Sequence, residues 1–335
     1  MVPASMVIPF ANANDTLDAL LQLASQTAGQ LVVAGHATAE LAIGADRAGL
    51  AVHEVAGESP FSADGHAIAA AVRQVGDCVY VANPNRITGT TFSVADLEQI
   101  ASALGNGLLI IDEYYYDLCG ITATVLLDKY PNIVVIRSVS ARQTNSASDA
   151  GFLLVSPALV DRCREQRIHG PVTVAVEVAI TGELERESDL SRRLKLLHTE
   201  TLRLGSALTR LGAQCRITPT DFLLVRVANP TEVGNRLAEN RIPVENLDGY
   251  TELRHYLRLQ VQSPVENDRV IETLSRLRPA LIANRTPEKK AARLHRSPET
   301  VAAPAESPER LHRIAISRVA ESSRVPTTKS RLGTK

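Results

Sequence analysis

No stretch of this 335-residue chain approaches the ~20 consecutive apolar residues that a membrane span requires. The opening residues, Met1-Val2-Pro3-Ala4-Ser5, lack the basic n-region of a signal peptide. Net charge is missing as well: 36 Lys and Arg stand against 37 Asp and Glu, leaving −1. Bulk electrostatics therefore draws the chain to neither nucleic acid nor membrane. The four cysteines, Cys78, Cys119, Cys163 and Cys215, show no C-x-x-C spacing and read as free thiols in a reducing compartment. The eight histidines form no H-x-x-H or H-E-x-x-H pattern, so no metal site is expected. Together these absences describe a soluble, cytoplasmic chain.

What is present is an alternation. Leu17, Leu20, Leu21 and Ala24 recur at helical spacing until Gly29, and Leu31-Val32-Val33 follows as a strand. Further strands are expected at 51–55, 78–82, 108–112, 133–137 and 151–155, with helices between them at 38–48, 66–75, 94–104 and 121–129. Continuous apolar strands in a strand–helix–strand order imply an α/β fold with a mostly parallel, doubly covered central sheet. Such sheets bind ligands beyond the carboxyl ends of their strands. Asn83, Asp112 and Ser138 all fall at such ends.

From about 157 the pattern turns helical, at 157–167, 171–184 and 188–211. A smaller α+β region follows, with strands at 222–227 and 256–261 and helices at 231–240 and from about 265. The expected organisation is a short N-terminal remnant at 1–10, a large domain at 11–185, a small C-terminal domain at 186–285 and a disordered tail at 286–335. That tail carries eleven Lys and Arg against five Asp and Glu, net +6, which leaves −7 for residues 1–285. It reads as a solvated segment, within which Leu311–Ile316 is a candidate for helix formation on a partner.

Three short motifs stand at the strand ends: Asn83-Pro84-Asn85-Arg86-Ile87-Thr88-Gly89-Thr90, Asp112-Glu113-Tyr114-Tyr115 and Arg137-Ser138-Val139-Ser140-Ala141. In this order they resemble N-P-N-N-P-T-G-T, D-E-A-Y and R-T-x-S-K of the class I/II aminotransferases of fold type I, and most closely the histidinol-phosphate aminotransferases. The resemblance runs over about residues 10 to 282. It implies a pyridoxal phosphate cofactor whose protonated ring nitrogen pairs with Asp112 and makes the ring an electron sink. By the same resemblance Tyr115 contacts the ring hydroxyl and Ser138 the phosphate. Asn12-Ala13-Asn14 matches the phosphate-cradling turn at a helix start, and Arg258 matches the arginine that grips a substrate carboxylate.

Departures from the pattern are as informative as the matches. Ala141 occupies the position of the lysine that holds the cofactor, and it has no nucleophilic atom. Its neighbour Arg142 stays protonated and makes a poor base. Asp149 falls where the family has a phosphate-binding arginine, so attraction becomes repulsion. Arg86 replaces the asparagine that contacts the ring oxygen, Thr38 the stacking aromatic, and Glu245 a further arginine. Alanines replace both glycines of the phosphate turn. Only about ten residues precede Asn12, where the family has an arm of several dozen. Asp112 also admits a purely structural role, capping the crevice or pairing with Arg86.

The sequence thus describes a degenerate aminotransferase-like chain without transaminase activity, acting as a binding, regulatory or partner subunit. The alternative is a PLP-dependent aminotransferase that acts on a small amino or keto acid with noncovalently held cofactor. By resemblance the partner is a second copy in a homodimer, or a paralogue in a heterodimer; neither membrane nor nucleic acid is expected.

Overall fold

Each strand expected in the first half of the chain forms. A computed structural model describes residues 2–10, 13–72, 78–138, 150–166 and 187–277, with only the backbone at 13 and 187–190. The helix expected at 171–184 and the tail at 286–335 lie outside the described residues. Strands β2 (Gln30–Ala34), β4 (Cys78–Ala82), β5 (Leu108–Asp112) and β6 (Ile133–Ser138) form the centre of a seven-stranded sheet. Its order is β1-β7-β6-β5-β4-β2-β3, where β1 is Val7–Phe10, β3 Ala51–Val55 and β7 Gly151–Val155. The run from β3 through β6 is parallel, whereas β7 and β1 are antiparallel to their neighbours.

Every residue of β4, β5 and β6 is buried. Apolar side chains alternate between two cores, one on each face. Val79, Val81, Leu109, Ile111 and Val135 pack with Ile68, Leu97 and Ile100 of helices α3 (Gly65–Ala71) and α4 (Val94–Leu104). Ile110, Val134 and Ile136 pack on the other face with Leu20, Leu21 and Leu41 of α1 (Ala13–Ser25) and α2 (Ala39–Arg47). Burial on both faces is why these strands read as continuous runs rather than as alternation. Helix starts follow local chemistry. Ser93 and Asp96 form a reciprocal capping box on α4, and Thr38 accepts the Leu41 N–H at the start of α2.

Two expectations need comment. Residues 121–129 are not a helix: the chain makes one short helix, α5 (Tyr116–Cys119), then a 3₁₀ turn at Thr124–Leu126. Gly120 stops α5 in a left-handed conformation, and the Ala123 N–H is drawn to the Glu113 carboxylate at 2.6 Å. β1 falls inside the stretch set apart above as an N-terminal remnant, yet it forms a sheet edge against β7, with Val7 opposite Leu154.

After a short helix α6 (Val160–Glu165), the long helix α7 (Glu187–Arg210) leads to a second, antiparallel sheet in the order β10-β11-β9-β8. These strands are β8 (Gln214–Ile217), β9 (Phe222–Arg226), β10 (Val244–Asn246) and β11 (Tyr256–Gln260). Helices α8 (Pro230–Glu239) and α9 (Pro264–Arg276) cover it, each beginning with proline at the first turn. Leu204, Leu208, Val225, Val233, Leu237, Leu257 and Leu274 make its own core. A fourth cluster spans the seam between the sheets: Ile87 and Tyr115 from the larger side meet Phe222, Leu224, Leu247 and Leu253 from the smaller.

Candidate active-site crevice

The parallel strands deliver polar residues to one end of the sheet. Asn83 follows β4, and its side chain is buried in bonds to the backbone of Phe92. Asn85 stiffens the next turn by accepting the N–H groups of Ile87 and Thr88. Asp112 ends β5 and Ser138 ends β6, both buried. From the small sheet, β11 brings Arg258 to the same crevice.

Asp112 is saturated by neighbours. Its Oδ2 accepts the Tyr80 hydroxyl at 2.5 Å and both Nε and Nη2 of Arg86 at 2.9 Å. Oδ1 accepts the Tyr114 N–H at 3.0 Å. The Arg86 guanidinium lies 4.2 Å from the centre of the Tyr114 ring, a cation–π distance. Burial works against the charge on Arg86, but Asp112 and the surrounding tyrosines outweigh it and hold the guanidinium above its ordinary range. Burial, reinforced by Asp112, likewise keeps Tyr80 firmly protonated.

Arg258 is committed except for its buried Nε, which has no partner among the described residues. Its Nη1 donates to Glu245 at 2.5 Å and its Nη2 to the Tyr115 hydroxyl at 3.1 Å, while the guanidinium lies 4.2 Å from the Phe222 ring centre. The pair with Glu245 is built into the register, because the two residues face each other across β10 and β11. Asp221, just before β9, also faces this group; burial raises its carboxyl, and Arg258 pulls it back. Tyr115 is raised by burial and then by Asp221.

The remaining sequence candidates divide. Asn14 is an exposed residue in the first turn of α1. Ala13 begins that helix, and only its backbone is described. Asn12, Ala141, Arg142 and Asp149 lie outside the described residues. Thr38, matched by the resemblance to a stacking aromatic, is the cap of α2. Sequence reasoning missed Tyr80 and Asp221. A tyrosine inside the aliphatic run Cys78–Ala82 was the available signal for the first; nothing local marked the second.

A pyridoxal phosphate ring seated here would need Asp112 at its nitrogen and Tyr115 at its hydroxyl. Arg86 already takes the first group; Arg258 donates to the second, whose own O–H goes to Asp221, and Glu245 neutralises the cation a substrate carboxylate would seek. The described residues do not fit the cofactor in this arrangement. Among the described residues, no group of three or more His, Cys, Asp or Glu is placed to hold a metal ion. The beginnings of the strands carry a separate open cleft of about 290 Å³, lined by Leu23, Thr27, Asn106, Pro131, Asn132 and Arg162.

A mostly parallel seven-stranded sheet, a smaller antiparallel partner and a crevice between them define the fold type I architecture. The family profile "Aminotransferase class I and II" matches residues 5–274, and the chain belongs to that family. It is 29% identical over 212 residues to a histidinol-phosphate aminotransferase of Chlorobaculum tepidum, covering 63% of this chain and 61% of that protein. It is 29% identical over 282 residues to histidinol-phosphate aminotransferase 1 of Burkholderia lata, covering 82% and 77% of the two chains. The match to the Chlorobaculum protein thus spans less than two thirds of that relative's length. In structure, the chain resembles the histidinol-phosphate aminotransferase of Sinorhizobium meliloti in complex with pyridoxal-5'-phosphate. The TM-score is 0.69 at 19% identity, over 83% of this chain and 77% of the other.

Proposed function

We propose that this chain keeps the class I and II aminotransferase fold without the transamination reaction, as a cytoplasmic binding, regulatory or partner subunit. Its partner is a second copy or an intact paralogue. One observation carries the reading: the position of the cofactor-holding lysine is Ala141, which has no amine with which to bond an aldehyde. The crevice supports it, since Asp112 and Tyr115 are already partnered by Arg86 and Arg258. With Asp149 at the phosphate-arginine position, retaining a phosphorylated cofactor would also require holding an anion beside an anion.

The test is titration of the purified chain with pyridoxal phosphate, followed by borohydride and mass measurement. We expect no stoichiometric adduct on a single side chain and no turnover with an amino donor. Such an adduct, or such turnover, overturns the reading.

A second reading keeps an enzyme: a PLP-dependent aminotransferase acting on an amino or keto acid with cofactor held noncovalently by Asp112, Tyr115, Ser138 and Arg258. In its favour, Tyr115 and Arg258 come within 3.1 Å at one crevice, and relatives are named histidinol-phosphate aminotransferases. A spectral change that needs pyridoxal phosphate and an amino acid together would select it.

A further inference from the structure

We infer that the cleft at the beginnings of the strands is a second binding site, which takes a compact organic anion carrying a hydroxyl or amino donor at the end remote from its charge. The crevice has no part in it. Leu108 opens β5 on the cleft and Asp112 ends it at the crevice, four residue steps or about 13 Å away.

Asn132 sets the first requirement. It stands one residue before β6, is 6% exposed and lines the cleft. Its Nδ2 donates to the carbonyls of Ala101 and Gly105, at 3.1 Å each. A flipped amide would set oxygen against both carbonyls, so the end of α4 fixes which way this side chain lies. Oδ1 is then a buried acceptor with no hydrogen-bond partner among the described residues. An acceptor left unpaired at that depth is costly, and an N–H or O–H brought by a ligand removes the cost. A second acceptor arriving there gains nothing.

Arg162 sets the other. It lies on α6, exposed at the same cleft, and forms no ion pair among the described residues, whereas its neighbours Asp161 and Arg164 pair with each other. A guanidinium fork left open in this way holds a carboxylate by two parallel bonds. Leu23, Pro131 and Leu159 give the cleft apolar walls. At about 290 Å³ it has room for about ten groups the size of a water, the small end of the range that holds organic ligands. Inorganic phosphate answers Arg162 alone and a neutral alcohol answers Asn132 alone. A small hydroxy or amino carboxylate answers both.

Calorimetric titration of the full chain with 4-hydroxybenzoate tests this, because that probe holds a carboxylate and a donor apart on a rigid apolar ring. It should bind saturably at one site. Benzoate, which lacks the donor, and 4-hydroxybenzyl alcohol, which lacks the charge, should each bind about tenfold more weakly. R162A, a change at the surface, should weaken 4-hydroxybenzoate by about the same factor and leave the alcohol unaffected. N132A should erase the preference over benzoate; if that variant does not fold, R162A and the three probes decide alone. R258A, which alters the arginine of the crevice, should bind as the parent does. No saturable binding at about 10 mM, equal affinity for the three probes, or a loss in R258A without one in R162A would overturn the inference. Pyridoxal phosphate titration reads the crevice, so failure of the proposed function and failure of this site are told apart.

Discussion

Asp112 and Glu113 are neighbours in the chain, and each pairs with one arginine, yet they belong to different parts of the molecule's logic. Glu113 turns away from the crevice. Its pair with Arg137 is 2.8 Å long, and both side chains are at most 1% exposed. Arg137 also donates to Thr122 and lies 3.4 Å from the Tyr116 ring centre. Asp112 faces the crevice, and its arginine keeps a third of its side chain in solvent. Scaffold pairs of the first kind are locked by everything around them, so they outlast a change of function. The second kind sits where a ligand would compete, and there, by the resemblance drawn from the motifs, arginine stands at 86 where asparagine is expected.

The comparison breaks most visibly through Glu113. The E113A variant leaves Arg137 charged and buried with no route to water, and should lose about 3–5 kcal/mol in denaturant melts. D112A should lose less, about 1–3 kcal/mol, because Arg86 relaxes into solvent and the main cost is an orphaned Tyr80 hydroxyl. Equal losses in the two variants would mean that the crevice pair is scaffold too. A smaller effect sharpens the picture on the opposite wall. Burial holds the Asp221 carboxyl above its ordinary value, with Arg258 pulling the other way. A carboxyl raised by folding contributes stability below its unfolded value and loses it as pH climbs through the folded one. Asp221's own contribution should therefore fall from about pH 4 upward, so the difference in unfolding free energy between the parent and D221N should decline over that range when both are measured against pH.

Much of this was legible in local sequence. The runs at 78–82, 108–112 and 133–137 announced buried parallel strands, and the motifs ending them located the crevice before any coordinates. What escaped depended on distant partners. β1 is a strand because Val7 lies opposite Leu154, a pairing that no window of the chain contains. The short strands β8 and β10 are largely exposed and lack an apolar run. The stretch 121–129 has helical spacing, but the Ala123 N–H is held by Glu113, ten residues earlier, and only a 3₁₀ turn forms at Thr124–Leu126. Tyr80 reads as core until Asp112, 32 residues on, is placed beside it. The importance of Asp221 emerges only when β9 and β11 are in register, with Phe222 opposite Gln260.

Gly89 acts as a spacer between the two sheets. At φ +67° it lies so close to the small sheet that a Cβ there would sit 2.4 Å from Thr218 Cβ. Two lobes that meet with less than a methyl group between them have no slack to close further at that point. The Tyr250 hydroxyl, which rests on the Ala37 carbonyl at 3.0 Å, ties the same two lobes at a second point.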